Sequence, residues 1–513
     1  MAHGRITIPL ITYVSSQSTL KARFLRIVSQ LWFHLIQRLF AIIFYFFPRA
    51  CLPDTNDNLL FYSAVNLAKS IRSGTTTSET VVKTYIKRIK QVNHLINAVV
   101  RDRFDDALEE ARLIDRLVVA GSAPTEDEKP FLGVPFTMKD AFIMKGMITT
   151  AGMATRRDAE VTNVSESCMW WECYNTIYGM TKNPHDLRRT CGGSSGGEGA
   201  LIAAAGSIIG IATDIGGSIR IPASFCGIFG HKPSSGIVSN VGCYPPLREF
   251  RDEMHSVGPM CRRAEDLAPM LFCMANREHR DKLLLFTPVD LKNLNIYYFE
   301  EIVSPAIAPV QDDVRRAVWR VISHFEVKRN SVCVKVDFSL FHLAFCLWQN
   351  DMNSSNTLFR KTITDAEYEV NVPVEICRIL LGLGRHTIPG LGAILFEETM
   401  NQFLCKEPHK WRTLRSQLKR QVEHILRDDG VLIMPVHPTV APYHYSPLLM
   451  PFNFAYTALF NSLGLPVTVC PVGVNRDRMP ICVQVVAAEG QDRLTLAVAR
   501  ELEHAFSGCI YPK

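Results

Sequence analysis

From Val81 to Val92 the apolar residues Val81, Val82, Tyr85, Ile86, Ile89 and Val92 recur at three- and four-residue steps, which predicts a helix with one inward face. Thr76 and Glu79 stand at capping-box spacing and open it. A second helix is predicted from about Asp105 to Leu117, with Ala107, Leu108, Ala111 and Ile114 turned inward. FLGVPFTMKD reads as a strand breaking into a turn at Gly133 and Pro135. Short apolar runs at Ile208 to Ala212, Leu294 to Phe299, Val332 to Val336, Val431 to Met434 and Val467 to Cys470 read as strands. Helical patterns such as Asp313 to His324 and Trp411 to Arg427 lie between most of them. That alternation predicts an α/β fold layered around a largely buried sheet. No internal repeat is visible, which sets solenoids and propellers aside.

Residues 27 to 47, IVSQLWFHLIQRLFAIIFYFF, hold sixteen apolar residues in twenty-one, about the length a bilayer span needs. Gln30, His34, Gln37 and Arg38 interrupt the run at helical spacing and form one polar stripe, as in a helix lying in a membrane interface. The aromatic content and the preceding Lys21, Arg23 and Arg26 favour a membrane anchor over a buried core helix. Spanning and interfacial placements both remain open. If the helix spans, the positive-inside rule puts the short amino-terminal segment in the cytosol and the rest on the far side. A cleaved signal peptide is disfavoured, since the run begins late and no small-x-small site follows it.

Composition narrows the classes. With 47% hydrophobic and 21% charged residues over 513 positions, the chain has enough apolar material for a sizeable core. A net charge of +6 without a run of five basic residues gives no case for nucleic acid. The fifteen cysteines form no C-x-x-C pair and no zinc-ligand cluster, so they read as free thiols; Cys168 and Cys173 are the one close pair spaced to bridge. The sequons at Asn163 and Asn353 matter only if the domain faces a lumen.

The candidate chemistry lies in CGGSSGGEGALIAAAGSIIGIATDIGGSIRIPASFCG, residues 191 to 227, which holds ten of the thirty glycines. Apolar runs inside it exclude a flexible linker, and neither G-x-x-x-x-G-K-[ST] nor a strand-led G-x-G-x-x-G supports a phosphate cradle. Gly216 and Gly217 immediately before Ser218 let the backbone turn N–H groups toward a carbonyl oxygen. The stretch has no histidine to serve as base and no G-x-S-x-G elbow. Ser194, in another glycine turn, and Lys139, in MKD, offer an alternative: a lysine made neutral by burial, with a second serine as relay.

The block GGSSGGEGALIAAAGSIIGIATDIGGSIRIPASFCGIFGHKPS resembles the signature of the amidase signature family. The likeness continues through INAVV (96 to 100), GVPFTMKD (133 to 140), VGPMCRRAEDLAPML (257 to 271) and FNSLGLPVTVCPVG (460 to 473). It implies the amidase signature fold, a mixed central β-sheet covered by helices on both faces, here with an amino-terminal membrane helix. It implies residues 1–50 as anchor region and 51–513 as catalytic domain. It also implies a Ser-Ser-Lys triad: Lys139 as general base, Ser194 as bridging serine, Ser218 as acyl-forming nucleophile, with Ile215, Gly216, Gly217 and Ser218 as the oxyanion hole. Ser195 is the supporting hydroxyl. Such a site needs no metal or organic cofactor.

Within the family, MWWECYNTIYG (169 to 179), IFGHKPSSGIVSN (228 to 240) and the anchor resemble members that hydrolyse fatty-acid amides. That implies a lipid amide substrate, a membrane as partner, no nucleic acid, a homodimer as one oligomeric option, and a catalytic domain in the lumen of the endoplasmic reticulum or at a lipid droplet. Ile376 to Phe396, apolar and glycine-rich, is read as channel wall, lipid contact or plain buried helix.

The chain departs from the family between Lys139 and Ser194, where Ala159-Glu-Val-Thr runs straight into Asn163-Val-Ser-Glu and a helix and core strand are missing. Losing a buried strand orphans its neighbours' backbone groups. Two alternatives follow: a catalytically silent membrane-bound homologue, and a glutaminase-type amidotransferase subunit, against which the anchor argues.

Overall fold

The computed structural model describes residues 5–7, 20–143, 149–156, 162–247, 250–353, 359–403 and 408–512. Ten strands form one sheet: β1 (Arg5–Thr7), β2 (Thr137–Met138), β3 (Ile209–Asp214), β4 (Phe229–Lys232), β5 (Ser256–Cys261), β6 (Asn295–Tyr298), β7 (Cys333–Asp337), β8 (Gly430–Pro435), β9 (Val467–Val474) and β10 (Pro480–Ala487). Their spatial order is β1-β7-β6-β8-β10-β9-β4-β5-β3-β2. Pairing is parallel from β1 to β8 and between β3 and β2, and antiparallel through the middle. Every residue of β8 and β10 is buried. Since successive strand residues point to opposite faces, helices must cover both.

The helices used below are α1 (Leu20–Tyr45), α2 (Ser78–Ile96), α3 (Phe104–Val119), α4 (Gly196–Ala203), α5 (Arg220–Cys226), α6 (Ala344–Met352) and α7 (Ile388–Phe403). α2 buries Val81, Val82, Tyr85, Ile89 and Val92, as its periodicity predicts. Its cap differs from expectation. Thr77, not Thr76, accepts from Thr80 N, while the Asp115 carboxylate takes the amides of Ser78 and Glu79 at 2.6 and 3.0 Å. Glu79 instead pairs with Lys83 and Arg112. Cys168 and Cys173 are both free, so the close pair is not bridged.

β2 is the last strand of the sheet, at the end away from β1. Residues 157–161, where the departure falls, lie outside the described residues. On one side β2 pairs with β3; on the other it meets Thr162, whose N–H donates to Met138 O and whose carbonyl accepts from Asp140 N, both at 3.2 Å. The Thr162 hydroxyl also bonds Met138 O at 2.9 Å and Glu198 Oε1 at 2.8 Å. One residue therefore satisfies the backbone groups flanking Lys139, against the expectation that they would be orphaned. Phe136 and Ile143 stay exposed, and a groove of about 740 Å³ opens between α2, α3 and β2.

Candidate active site

Parallel pairing of Thr137 with Gly210 and Met138 with Ile211 delivers Lys139 to the carboxyl end of β3. Its side chain is fully buried, with Nζ 2.7 Å from Ser194 Oγ and 2.7 Å from Thr213 Oγ1. Burial pushes the lysine pKa down from its ordinary value, because a charged ammonium there would have lost its water. Ser194 follows a cis peptide bond from Gly193 and precedes α4. Ser195 donates its N–H to Ser218 O at 3.2 Å and its hydroxyl to Thr213 O at 3.3 Å, tying the two glycine turns together.

The turn from Ile215 to Ser218 is built around Asp214, the last residue of β3. Its carboxylate accepts from Gly217 N at 2.7 Å, Ile219 N at 3.1 Å, and Arg220 Nε and Nη2 at 3.0 and 2.9 Å. Asn461 adds a further bond at 3.0 Å. Burial alone would raise this acid, but the Arg220 guanidinium and these donors hold it well below the usual carboxylate range. Gly217 has φ +126°, and a Cβ there would sit 2.1 Å from Thr457 Oγ1, so only glycine fits. The amide of Gly217 is spent on Asp214 and braces the turn; this differs from the expectation that it faces a substrate oxygen. Carbonyls of Ile215 and Gly216 are anchored by Trp348 Nε1 and Thr457 Oγ1, both at 2.7 Å, which orients the intervening peptides.

Ser194, Thr213, Ile215 and Ser218 form the floor of a cavity of about 780 Å³. Aromatic side chains dominate its walls, Trp348 and Phe345 from α6, Phe396 from α7, and Phe452 and Phe454, while Arg251, Lys361, Asp365 and Glu397 also line it. Phe345 and Phe452 rings lie 4.6 Å apart and Trp348 and Phe454 rings 4.9 Å. The Ile376 to Phe396 stretch divides: Ile388, Gly392 and Phe396 line the cavity, whereas Ile376, Leu380, Leu381 and Leu383 are exposed. His255 also lines it, with Nδ1 3.0 Å from Asn240 Oδ1; burial drives its pKa down to about 3, so the ring is neutral.

The structure thus brings Lys139, Ser194, Ser195, Ile215, Gly216, Gly217 and Ser218 to one place. Sequence reasoning missed Thr213, Asp214 and Arg220. The signal was present: an aspartate and an arginine six residues apart in an otherwise apolar stretch had to be buried, and buried charges are paired.

A buried lysine within hydrogen-bond reach of a serine on a glycine turn, beneath a largely apolar cavity, is an arrangement able to activate a hydroxyl for attack on a carbonyl. The Amidase family model matches residues 80–160 and 161–496. The chain belongs to the amidase signature family and is an amide-hydrolysing enzyme. It is 40% identical to fatty-acid amide hydrolase 2-A of Danio rerio, over 95% of this chain and 97% of that relative, and 41% identical to fatty-acid amide hydrolase 2 of Homo sapiens, over 88% and 91%. A solved fatty acid amide hydrolase superposes with a TM-score of 0.67 at 20% identity, covering 88% of this chain and 86% of that one, and shares the fold. The family match breaks between residues 160 and 161, where the sequence departs from the family pattern. The zebrafish alignment runs over 522 positions, more than the chain's 513 residues, although it takes in only 95% of them, so part of the relative faces a gap.

Proposed function

We propose that the protein hydrolyses fatty-acid amides to a free fatty acid and ammonia or an amine, with residues 1–50 as its membrane anchor region and 51–513 as its catalytic domain. The observation that carries this reading is the buried Lys139 Nζ, 2.7 Å from Ser194 Oγ, beneath a largely apolar cavity of about 780 Å³. The 40% identity to fatty-acid amide hydrolase 2 relatives supports the substrate class.

In this mechanism neutral Lys139 takes the proton of Ser194 as Ser194 takes that of Ser218. Ser218 Oγ attacks the amide carbonyl, and the oxyanion is met by the N–H groups of Ile215, Gly216 and Ser218. The proton returns through Ser194 to the leaving nitrogen, the C–N bond breaks, and an acyl ester remains on Ser218. Water, deprotonated by the same relay, cleaves the ester and restores the serine. Thr213, 2.7 Å from Nζ, fixes the lysine so that its lone pair faces Ser194. Desolvation lowers the lysine pKa and so favours the neutral form that a base needs.

The test is hydrolysis of a long-chain primary fatty amide by the membrane-bound full-length protein beside Ser218→Ala. Activity lost in the variant supports the reading. No activity in either, from protein with a cooperative thermal transition, refutes it and favours the silent homologue.

A further inference from the structure

α1 is long and apolar enough to cross a bilayer, the one such helix among the described residues, yet it is not a free rod. It is docked along the catalytic domain. Ser29 Oγ donates to Pro305 O at 2.6 Å, and Phe33, 4% exposed, packs with Ala308 and Met450. Gln311 Nε2 donates to Gln37 Oε1 at 3.4 Å. The Phe44 ring stacks on Tyr443 at 5.1 Å with 5° between planes, and Phe44 O accepts from Arg188 at 3.2 Å. From Ser29 to Phe44 these contacts extend roughly 22 Å along the axis, at 1.5 Å per residue.

The opposite side, with Leu31, Leu35, Leu39 and Ile42, is exposed and apolar. His34 and Arg38 are exposed between the two faces, near the middle of the Phe24–Tyr45 segment. In a spanning helix both would sit near the bilayer centre, where a charged side chain without a partner is expensive. The docked partners, including the Gln311 amide and the Arg188 guanidinium, would be carried into hydrocarbon with them, or all the contacts would break. Lying flat, the helix puts its apolar side among acyl chains and Gln30, His34 and Arg38 at headgroup level. Its sequence holds Lys21, Arg23, Arg26 and Arg38 and no acidic residue, which suits an anionic lipid surface.

We infer that α1 lies in the plane of one lipid leaflet, clamped to the catalytic domain, and does not cross the bilayer. This rests on the reading of the enzyme as membrane-bound. The docked side also ties the anchor to the site: Trp32 Nε1 donates to Leu449 O at 3.4 Å, and the adjacent Leu448 lines the substrate cavity. Substrate dissolved in the same leaflet would then reach the cavity without crossing water.

The test uses full-length protein with an epitope at each terminus in sealed microsomes, treated with protease from outside. A flat helix leaves both termini on one side, so the two epitopes share one fate, cleaved together or protected together. Opposite fates overturn the inference. A protein that fails to float with the vesicles refutes the membrane reading instead. Independently, a Gln37→Cys, Gln311→Cys double variant bound to vesicles of phosphatidylcholine and phosphatidylserine should be cross-linked within the chain by a short bis-maleimide, which does not require the β-carbons to lie at disulfide distance. Absence of that link on vesicles, where it forms in detergent, would show that the helix leaves the domain to insert.

Discussion

Lys139 Nζ stands 2.7 Å from both Ser194 Oγ and Thr213 Oγ1, with no solvent exposure. The arrangement makes the lysine an acceptor toward Ser194 only when it is neutral. Burial lowers its pKa, so kcat/KM should rise with pH along a limb set below the ordinary lysine range and then level off. Lys139→Ala should lower the acylation rate about 10²–10⁴-fold. A pH profile of amide hydrolysis for the two proteins checks this. A variant near the parent rate would remove Lys139 from the mechanism.

Arg220 and Asp214 are both fully buried and bonded at 2.9 and 3.0 Å. Arg220→Ala leaves the carboxylate without its charge partner, for which the expected cost is about 3–5 kcal/mol of stability. Because Asp214 holds Gly217 and Ile219, Asp214→Asn should reduce kcat more than KM. Thermal unfolding and steady-state kinetics separate the two effects.

The acyl cavity offers a cleaner test of substrate class. Gly392 lines it, and a Cβ there meets nothing within 4 Å. Gly392→Phe should fold normally and shorten the cavity, lowering kcat/KM for a long-chain amide at least about 10-fold while sparing a short-chain amide, since each excluded methylene is worth of the order of 1 kcal/mol. Equal losses on both substrates would place the acyl chain elsewhere.

Glu198 predicts a pH dependence of stability. It is fully buried, bonded to Thr137 and Thr162, and burial raises its pKa from 4.5 to about 7. An acid whose folded pKa is raised contributes stability that is complete below its unfolded value and is lost as pH rises through the folded one. Stability should therefore fall by up to about 3 kcal/mol between pH 4.5 and 7 from this group. Glu198→Gln should remove that slope in chemical denaturation across this window.

Much of the fold was legible where period and burial agree, as in α2 and in β3, β6, β7, β8 and β9, each met by an apolar run. Strands β4, β5 and β10 were not. FGHK in β4 carries His231 and Lys232, polar residues that give no local strand signal, yet both are buried: His231 bonds Thr468 and Asp492, and Lys232 Nζ donates to Pro233 O at 2.7 Å. β5 contains Gly258 and Pro259, which argue against a central strand by composition. Such positions are rescued by partners far away in sequence, and a single chain read locally does not announce them. The site was legible through its glycine turns. Its support by Asp214 and Arg220 was not, because it depends on which buried charges meet. The departure from the family pattern between Lys139 and Ser194 was legible in the sequence, but the role of Thr162 in closing the β2 edge emerges only from pairing.

The central claim is that Ser218 is the acylated residue, reached through Ser194 from Lys139. A fluorophosphonate probe reacts with an activated serine by displacing fluoride, leaving a phosphonyl adduct on Oγ. Mass spectrometry of the labelled full-length protein should place that adduct on Ser218. Ser218→Ala should lose it, and Lys139→Ala should acquire it far more slowly. An adduct on Ser194 or Ser195, or labelling that persists in folded Ser218→Ala, would contradict the account.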